Sequence, residues 1–198
     1  MTPPQLLSFV LSISFGAGIN VYATMATLGL LERAGVVHLP SSLSAVGSWW
    51  VIGISLTMFV VEFVADKIPY FDLVWNVLHT FIRVPLAALL SWAATPDLGP
   101  EWHWAATALS GVIAFIAHGG KLAVRAAVTP SPEPVSNTAL SLGEDAFTIF
   151  LIWFATAHPY IAATIVLVLL VMSFVALRWI LRALRSAFSR RRARSLTP

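Results

Sequence analysis

The chain has 198 residues, of which 58% are hydrophobic and 11% are charged, whereas a soluble domain is roughly half apolar and about a quarter charged. This composition excludes an ordinary soluble protein and predicts one all-α integral membrane domain. The chain contains no cysteine, which excludes disulfides, thiolate nucleophiles and cysteine-based metal sites.

The first half of the chain contains three apolar segments, at about 6–31, 44–65 and 72–94. Each is long enough to cross a bilayer, for which about 20 apolar residues suffice. The middle of the first segment combines glycines, which allow close helix packing, with the polar Asn20. Pro69 lies between the second and third segments and predicts a break, so that two helices meet at a polar elbow.

The elbow region carries many ionisable groups for a membrane protein. If helices flank Pro69, Glu62 and Asp66 lie one turn apart on one face, and Lys67 lies in the elbow itself. Beyond the proline, polar residues recur at i, i+4, i+7 and i+11, and these are Asp72, Asn76, His79 and Arg83. Because charged groups are costly at membrane depth unless they are paired or hydrated, we interpret the stretch as two helices with charged stripes that face the protein interior.

The fourth apolar segment, at about 102–128, has a charged face of its own. His118, Lys121 and Arg125 are spaced i, i+3 and i+7, which places them on one side of a helix. We expect these cations to pair with carboxylates of the first half. The proline-rich stretch 129–137 follows, and its alternate prolines predict an extended path.

Polar residues in and after the proline-rich stretch extend the set of candidates, and these are Glu133, Asn137, Glu144 and Asp145. The long apolar run 146–180 comes next. Pro159 divides this run into a short fifth span and a full sixth span.

A weak internal repeat relates the two halves of the chain, about 6–94 and 102–184. The Pro-Tyr pair at 69–70 corresponds to the Pro-Tyr pair at 159–160. Three spans per half is an odd number, so the halves would have opposite orientations, as in the inverted repeats of transporters. We therefore predict about six transmembrane segments in a single domain over 1–184, arranged as two inverted three-helix repeats with broken helices at Pro69 and Pro159.

The last residues, 185–198, form an arginine-rich tail. Arginines that follow an apolar span more often set orientation by the positive-inside rule and contact anionic headgroups than bind nucleic acid. With six spans, we predict that both termini are cytoplasmic, that membrane lipids are partners and that nucleic acid is not. Small residues on several helical faces favour a homo-oligomer, most simply a dimer.

Several motifs resemble a family of small bacterial integral membrane proteins known as a domain of unknown function. They are GxNxY at 18–22, ExxADKIPxxDxxW at 62–75, HTFIR at 79–83, and HGGKxxxR followed by SPEPVSNxxxSxxED across 118–145. The resemblance covers about 14–180 and implies a multi-pass protein of the bacterial inner membrane, with no established activity. The chain differs from the family at Asn76, where the family has an acidic residue, which weakens a role for Asn76 in proton chemistry.

The number of polar groups on the predicted inner faces favours transport. Cations in one half and carboxylates in the other suit an anionic or zwitterionic small molecule or a lipid head group, with proton coupling through histidines or carboxylates. The substrate- and proton-handling candidates are Asn20, Glu62, Asp66, Lys67, Asp72, His79, Arg83, His118, Lys121, Arg125, Glu133, Asn137, Glu144 and Asp145.

Two other classes stay open at this point. The charges would serve only as salt bridges between the repeats in a structural or scaffolding membrane protein. A metal-binding protein or an acid–base enzyme is the second class, because Glu62, Asp66, His79 and His118 offer metal ligands and proton-transfer groups. However, the chain has no HxxxH pair, nucleophile motif, P-loop or dinucleotide fingerprint, so we expect no metal and no cofactor, and enzyme activity is the less favoured class.

Overall fold

The computed structural model describes residues 1–68, 71–128 and 134–194; the side chains of 72–73, 128, 134–137, 184 and 187–194 lie outside this description. Every regular element in the described residues is helical, as the sequence predicted. In chain order they are α1 (Pro3–Arg33), a 3₁₀ helix (Ser41–Gly47), α2 (Trp49–Ala65), α3 (Phe71–Ala94), α4 (Pro100–Val128), α5 (Pro134–Ala157) and α6 (Pro159–Arg194).

These helices form an integral membrane protein. Five of the described helices (α1 and α3 to α6) are long and apolar enough to cross a membrane, and the 3₁₀ helix with α2 forms a sixth candidate that is bent by 57°. Their outward faces carry exposed valine, leucine, isoleucine and tryptophan side chains, which suit a lipid environment. The prediction of about six apolar segments is therefore confirmed.

The predicted ends of α2, α3 and α5 agree with the structure, but the predicted start of α5 is wrong. α5 begins at Pro134, so residues 134–137 are helical rather than extended, and the fifth helix has 24 residues instead of forming a short span. Proline is tolerated in the first turn of a helix, which is why the prolines did not exclude helix here.

α5 ends at Ala157 and α6 begins at Pro159. Proline is suited to the first position of a helix, because the N–H that it lacks would have no hydrogen-bond partner in the helix. α2 and α3 are separate helices on either side of the elbow, although Pro69 itself and the stretch 129–133 lie outside the described residues. α6 continues through most of the predicted basic tail, to Arg194.

α1 is broken in its middle and folds back on itself. Asn20 has extended backbone angles, φ −150° and ψ 102°, between two helical halves. A β-carbon placed on Gly16 would lie 3.0 Å from the hydroxyl of Thr24, whereas eight residues of straight helix would separate the two positions by about 12 Å. The second half of α1 therefore returns beside the first half.

Both ends of α1 lie at the same end of the bundle. Leu7, in the first half, lines a groove together with Trp102 near the start of α4. Ser42, shortly after the second half, donates a hydrogen bond to the carbonyl of Ala93 near the end of α3. Since a short turn joins α3 to α4, both ends of α1 lie at this end of the bundle. α1 is therefore a helical hairpin, although its length and composition would allow a crossing.

The start of α1 and the end of α6 lie at opposite ends of the bundle. The Asn20 side chain contacts Asp145, and a β-carbon on Gly16 would meet Ile152, so α5 runs antiparallel to the first half of α1. α6 therefore begins near the start of α1 and runs to the other end. The expectation that both termini are cytoplasmic counted α1 as one crossing, and the orientation of the termini in a membrane stays a prediction.

Glycines allow α1, α4 and α6 to pack closely at the centre of the bundle. A β-carbon on Gly18 would lie 2.5 Å from the carbonyl oxygen of Ala114, and one on Gly120 would lie 2.5 Å from the β-carbon of Ser173. α1 packs against all the other helices, whereas α5 has little contact with α4. The two halves of the chain thus pack differently at α2 and α5, and the inverted repeat stays a prediction.

Candidate functional site

Six charged side chains from four parts of the bundle meet in one buried network. The backbone places two carboxylates at the end of α2, one cation on α3, two cations on α4 and one carboxylate on α5. Five of the six are at most 3% exposed, and the sixth is partly buried. They are Glu62, Asp66, Arg83, Lys121, Arg125 and Glu144.

Arg83 connects α3 to α2, α4 and the broken helix. Its Nη2 pairs with Glu62, and both side chains are fully buried. Its Nη1 donates to Nδ1 of His118 at 2.8 Å and to the carbonyl of Gly18 at 3.4 Å. Because arginine is only a donor, Nδ1 of His118 must accept. The imidazole is therefore neutral, and its Nε2–H donates to the carbonyl of Asn76 at 2.9 Å.

Lys121 is the centre of the network. Its Nζ lies 3.4 Å from Glu62 Oε1, 3.2 Å from Asp66 Oδ2 and 3.4 Å from Glu144 Oε2. It also donates to the carbonyl of Ile19 at 3.2 Å. One ammonium group thus joins α4 to α1, α2 and α5, and the predicted pairing of carboxylates in the first half with cations in the second is present.

Arg125 closes the network at the elbow end of the bundle. Its Nη2 lies 2.8 Å from Asp66 Oδ2 and 2.6 Å from Glu144 Oε2, and its Nη1 donates to the backbone carbonyl of Asp66 at 3.2 Å. The other carboxylate oxygen of Asp66 accepts from the Asn76 amide at 3.1 Å. Asp66 is therefore held by donors on both oxygens, and it fixes the end of α2 against α3 and α4.

Asn20 holds the break in α1 with both ends of its amide. Its Oδ1 accepts from the backbone N–H of Ala23 at 2.9 Å, which makes Asn20 the N-cap of the returning half-helix. Its Nδ2 donates to Asp145 Oδ1 at 2.9 Å. The Asn20 side chain therefore links the break in α1 to α5.

The break frees backbone carbonyls at the end of the first half-helix, and cations occupy them. Gly18 accepts from Arg83, and Ile19 accepts from Lys121. The end of a helix with free carbonyls carries a partial negative charge, so both cations are favourably placed there. Discontinuous membrane helices with ends directed at charged groups are a common construction of transporter sites.

His79 lies beside the network rather than in it. Its Nδ1 is 2.8 Å from the carbonyl of Trp75 in the preceding turn, and its ring packs against the rings of Trp75 and Tyr22. Its Nε2 is buried and has no hydrogen-bond partner within the described part of the chain. The sequence analysis predicted His79 as a site residue, whereas Tyr22 appeared only as part of the GxNxY motif, because an aromatic residue in an apolar helix is more often part of the core.

The structure does not bring every predicted residue into the site. Lys67 donates to the carbonyl of Phe63 at 2.8 Å and lies over the phenyl ring, and none of the salt bridges of the network involves it. Asp72 and Asn137 have their backbones in α3 and α5, but their side chains lie outside the description, as does the whole of Glu133. Among the described residues, no group of three or more histidine and acidic side chains could hold a metal ion.

A groove of about 450 Å³ reaches the network from the side of the bundle, between α4, α5 and α6. Lys121 and Glu144 lie in its lining, which is otherwise mostly apolar. The Glu144 side chain is 12% exposed, whereas those of Glu62 and Asp66 are at most 1% exposed. Glu144 is therefore the carboxylate of the network that is open to an incoming group.

Comparison with known proteins agrees with the resemblance in the motifs. Neither the curated proteins nor the solved structures contain a match to this chain. A family model described as "Domain of unknown function (DUF4126)" matches residues 7–179, a range that includes all six charged residues of the network and the break at Asn20. The chain therefore belongs to this family of unknown function.

Proposed function

We propose that the protein is a small membrane transporter or permeation protein for an anionic or zwitterionic small molecule or lipid head group. One observation carries this proposal: Lys121 lies where a broken helix, three carboxylates and a groove meet. A cation in this position has an entry path for a ligand and a set of acceptors that a ligand anion is able to replace.

The energetics of burial support a functional network. Replacing buried ion pairs with well-packed apolar residues is often neutral or stabilising, so a bundle that needed only stability would not require six charges. Glu62 Oε2 and Asp145 Oδ2 are buried without a hydrogen-bond partner in the described residues. Unsatisfied acceptors of this kind are costly, and they leave capacity for water, a proton or a substrate donor.

A transport step follows from the position of Glu144. An anionic substrate that enters the groove would take over the contacts of Glu144 with Lys121 and Arg125. The released carboxylate would then move toward water or take up a proton, because an unpaired charge is costly at membrane depth. Substrate entry and proton uptake are thereby coupled. α5 has little contact with α4, so a shift between these two helices would accommodate the exchange.

The proposal is tested by flux measurements on the protein reconstituted in liposomes, with fluorescent phospholipids and small organic anions as probes. We expect Lys121→Ala to abolish flux, whereas Lys67→Ala, a matched lysine outside the network, leaves it unchanged. Equal flux through both variants and the unaltered protein would contradict the proposal. The amount of folded protein, from size-exclusion chromatography, separates loss of flux from loss of fold.

A structural role is the second candidate, and the mutual pairing of the six charged groups favours it. In that case Lys121→Ala lowers the unfolding temperature, and the unaltered protein shows no flux for any probe above that of empty liposomes. The two candidates therefore differ in the behaviour of the unaltered protein and not only in that of the variant.

We also propose a cellular setting for this function. The resemblance and the arginines of α6 support a bacterial inner membrane, with the C-terminal end of α6 in the cytoplasm by the positive-inside rule. Membrane lipids are the expected partners of the exposed apolar faces. A homodimer is the simplest assembly for so small a transporter.

A further inference from the structure

The groove that reaches Lys121 has the form of a site for an amphiphile. α6 packs tightly on α4 because Gly120 has no side chain, and a β-carbon there would meet Ser173. α5, in contrast, has little contact with α4. The gap between α4 and α5 is walled by apolar side chains such as Phe15, Phe147 and Leu169. Among the described lining residues, the charged ones are Lys121 and Glu144.

We propose that this groove binds an anionic membrane lipid, with one acyl chain between α5 and α6 and the head group at Lys121 and Arg125 in place of Glu144. The inference deepens the proposed function and rests on it in one respect, namely that Lys121 is the substrate's anion-binding group. It adds the class of substrate and the side from which the substrate enters.

The apolar walls argue for a lipid rather than a water-soluble anion. A soluble anion would lose its hydration in the groove, and only its charged part would find partners. A lipid loses no hydration along its chain, because it passes from the apolar interior of the membrane to an apolar wall. The neighbouring helix surfaces carry exposed apolar residues such as Val124 and Leu142, so the groove opens among faces suited to lipid.

The charge balance argues for an anionic head group. Glu144 pairs with both Lys121 and Arg125, so a group that replaces it must supply negative charge to the same two cations. A phosphate monoanion restores the balance and offers several acceptor oxygens to Lys121 and Arg125, and arginine binds phosphate well through its forked donors. A zwitterionic head group would also bring its own cation close to Lys121 and Arg125, which is unfavourable.

Gly143 provides a test that leaves the network intact. It lies in the groove lining, and a β-carbon at this position has open space around it, as has one on the exposed Gly53 of α2. Gly143→Leu should fill the groove, while Gly53→Leu is the matched control on another helix. The readout is retention of phosphatidylglycerol, phosphatidylcholine or glycerol phosphate by the detergent-solubilised full chain, measured by native mass spectrometry.

We expect the unaltered protein and Gly53→Leu to retain phosphatidylglycerol in preference to phosphatidylcholine. Gly143→Leu should weaken retention by about tenfold or more, a change that is easily resolved. Glu144→Gln, which removes the charge that competes for Lys121 and Arg125, should strengthen retention. Equal retention by Gly143→Leu and Gly53→Leu would overturn the proposal, and so would equal binding of glycerol phosphate and phosphatidylglycerol, which indicates a site for free anions.

Failure of this inference and failure of the transport proposal give different results. Retention of phosphatidylglycerol without flux leaves the lipid site in place and removes transport. Flux of a small organic anion without selective lipid retention supports transport and contradicts the lipid site. If Glu144→Gln does not fold, the comparison of Gly143→Leu with Gly53→Leu still decides, because neither substitution touches a charged group.

Discussion

Arg83 donates a 2.8 Å hydrogen bond to Nδ1 of His118, and this single contact fixes the histidine as a neutral acceptor. The opposite nitrogen donates to the carbonyl of Asn76, so both ring nitrogens are engaged. His118 thus acts as a spacer between α3 and α4. This assignment narrows the proton-handling candidates to the carboxylates and His79.

Replacing His118 tests this assignment. Glutamine has an oxygen to accept from Arg83 and an amide to donate to Asn76, whereas leucine leaves a buried arginine donor without its acceptor. We expect His118→Leu to lose about 1–3 kcal/mol of stability and His118→Gln to lose much less, as measured by unfolding in detergent. A change in the pH dependence of flux in His118→Gln would show instead that the ring carries a proton.

The two functions of the Asn20 amide can be separated by substitution. Serine retains an oxygen that caps the returning half-helix but does not reach Asp145, while alanine loses both contacts. Loss of the cap alone costs about 0.5–2 kcal/mol. We therefore expect stability to fall from the unaltered protein to Asn20→Ser and further to Asn20→Ala, with faster hydrogen exchange at the Ala23 amide in the alanine variant only. Equal exchange in both variants would rule out the cap.

Close packing at Gly18 predicts a sharp difference between two glycines. A β-carbon on Gly18 would lie 2.5 Å from the backbone oxygen of Ala114, whereas one on Gly111 would lie 3.7 Å from the nearest atom, a Val84 methyl group. Gly18→Ala should destabilise the protein by about 1–3 kcal/mol through overpacking. Gly111→Ala should be neutral or slightly stabilising, since alanine favours helix. Thermal unfolding of the two variants in the same detergent is the measurement.

Because α1 is a hairpin with both ends at one end of the bundle, we predict which parts of the chain face the same side of the membrane. Because the chain contains no cysteine, single cysteines report their side without background labelling. Thr2→Cys, just before α1, and Asp97→Cys, in the turn between α3 and α4, should both react with an impermeant maleimide from the same side of the membrane. A cysteine added after Pro198 should react from the opposite side. Labelling of all three from one side would mean that α1 crosses the membrane.

Much of the charged network was predictable, because helical spacing determines which side chains share a face. Glu62 and Asp66, one turn apart, both contact Lys121, and the i+4 partner of Lys121 is Arg125, which binds the same Asp66. The pattern of charges in otherwise apolar segments thus predicted both the helices and the contacts between them. Lys67 differs because it follows Asp66 directly, so its side chain does not share the face of Glu62 and Asp66, and it contacts Phe63, four residues earlier, instead.

The break at Asn20 was not predictable from local pattern. No proline stands there, and a single asparagine among glycines and apolar residues is typical of a continuous membrane helix. The break depends on partners far along the chain: Arg83 and Lys121 at the freed carbonyls and Asp145 at the amide. The groove could not be predicted from the sequence either, because it results from the small contact between α5 and α4 and no residue pattern indicates it.

The fold-back of α1 also has a consequence for biogenesis. Asn20 leaves the ribosome long before its partner Asp145, which is 125 residues further along the chain. The carbonyl of Gly18 lacks its cation until α3 is inserted, and that of Ile19 lacks its cation until α4 is inserted; exposed backbone groups of this kind are not tolerated in lipid. We therefore expect the N-terminal hairpin, although it is synthesised first, to reach its final depth only after α3, α4 and α5 have been inserted.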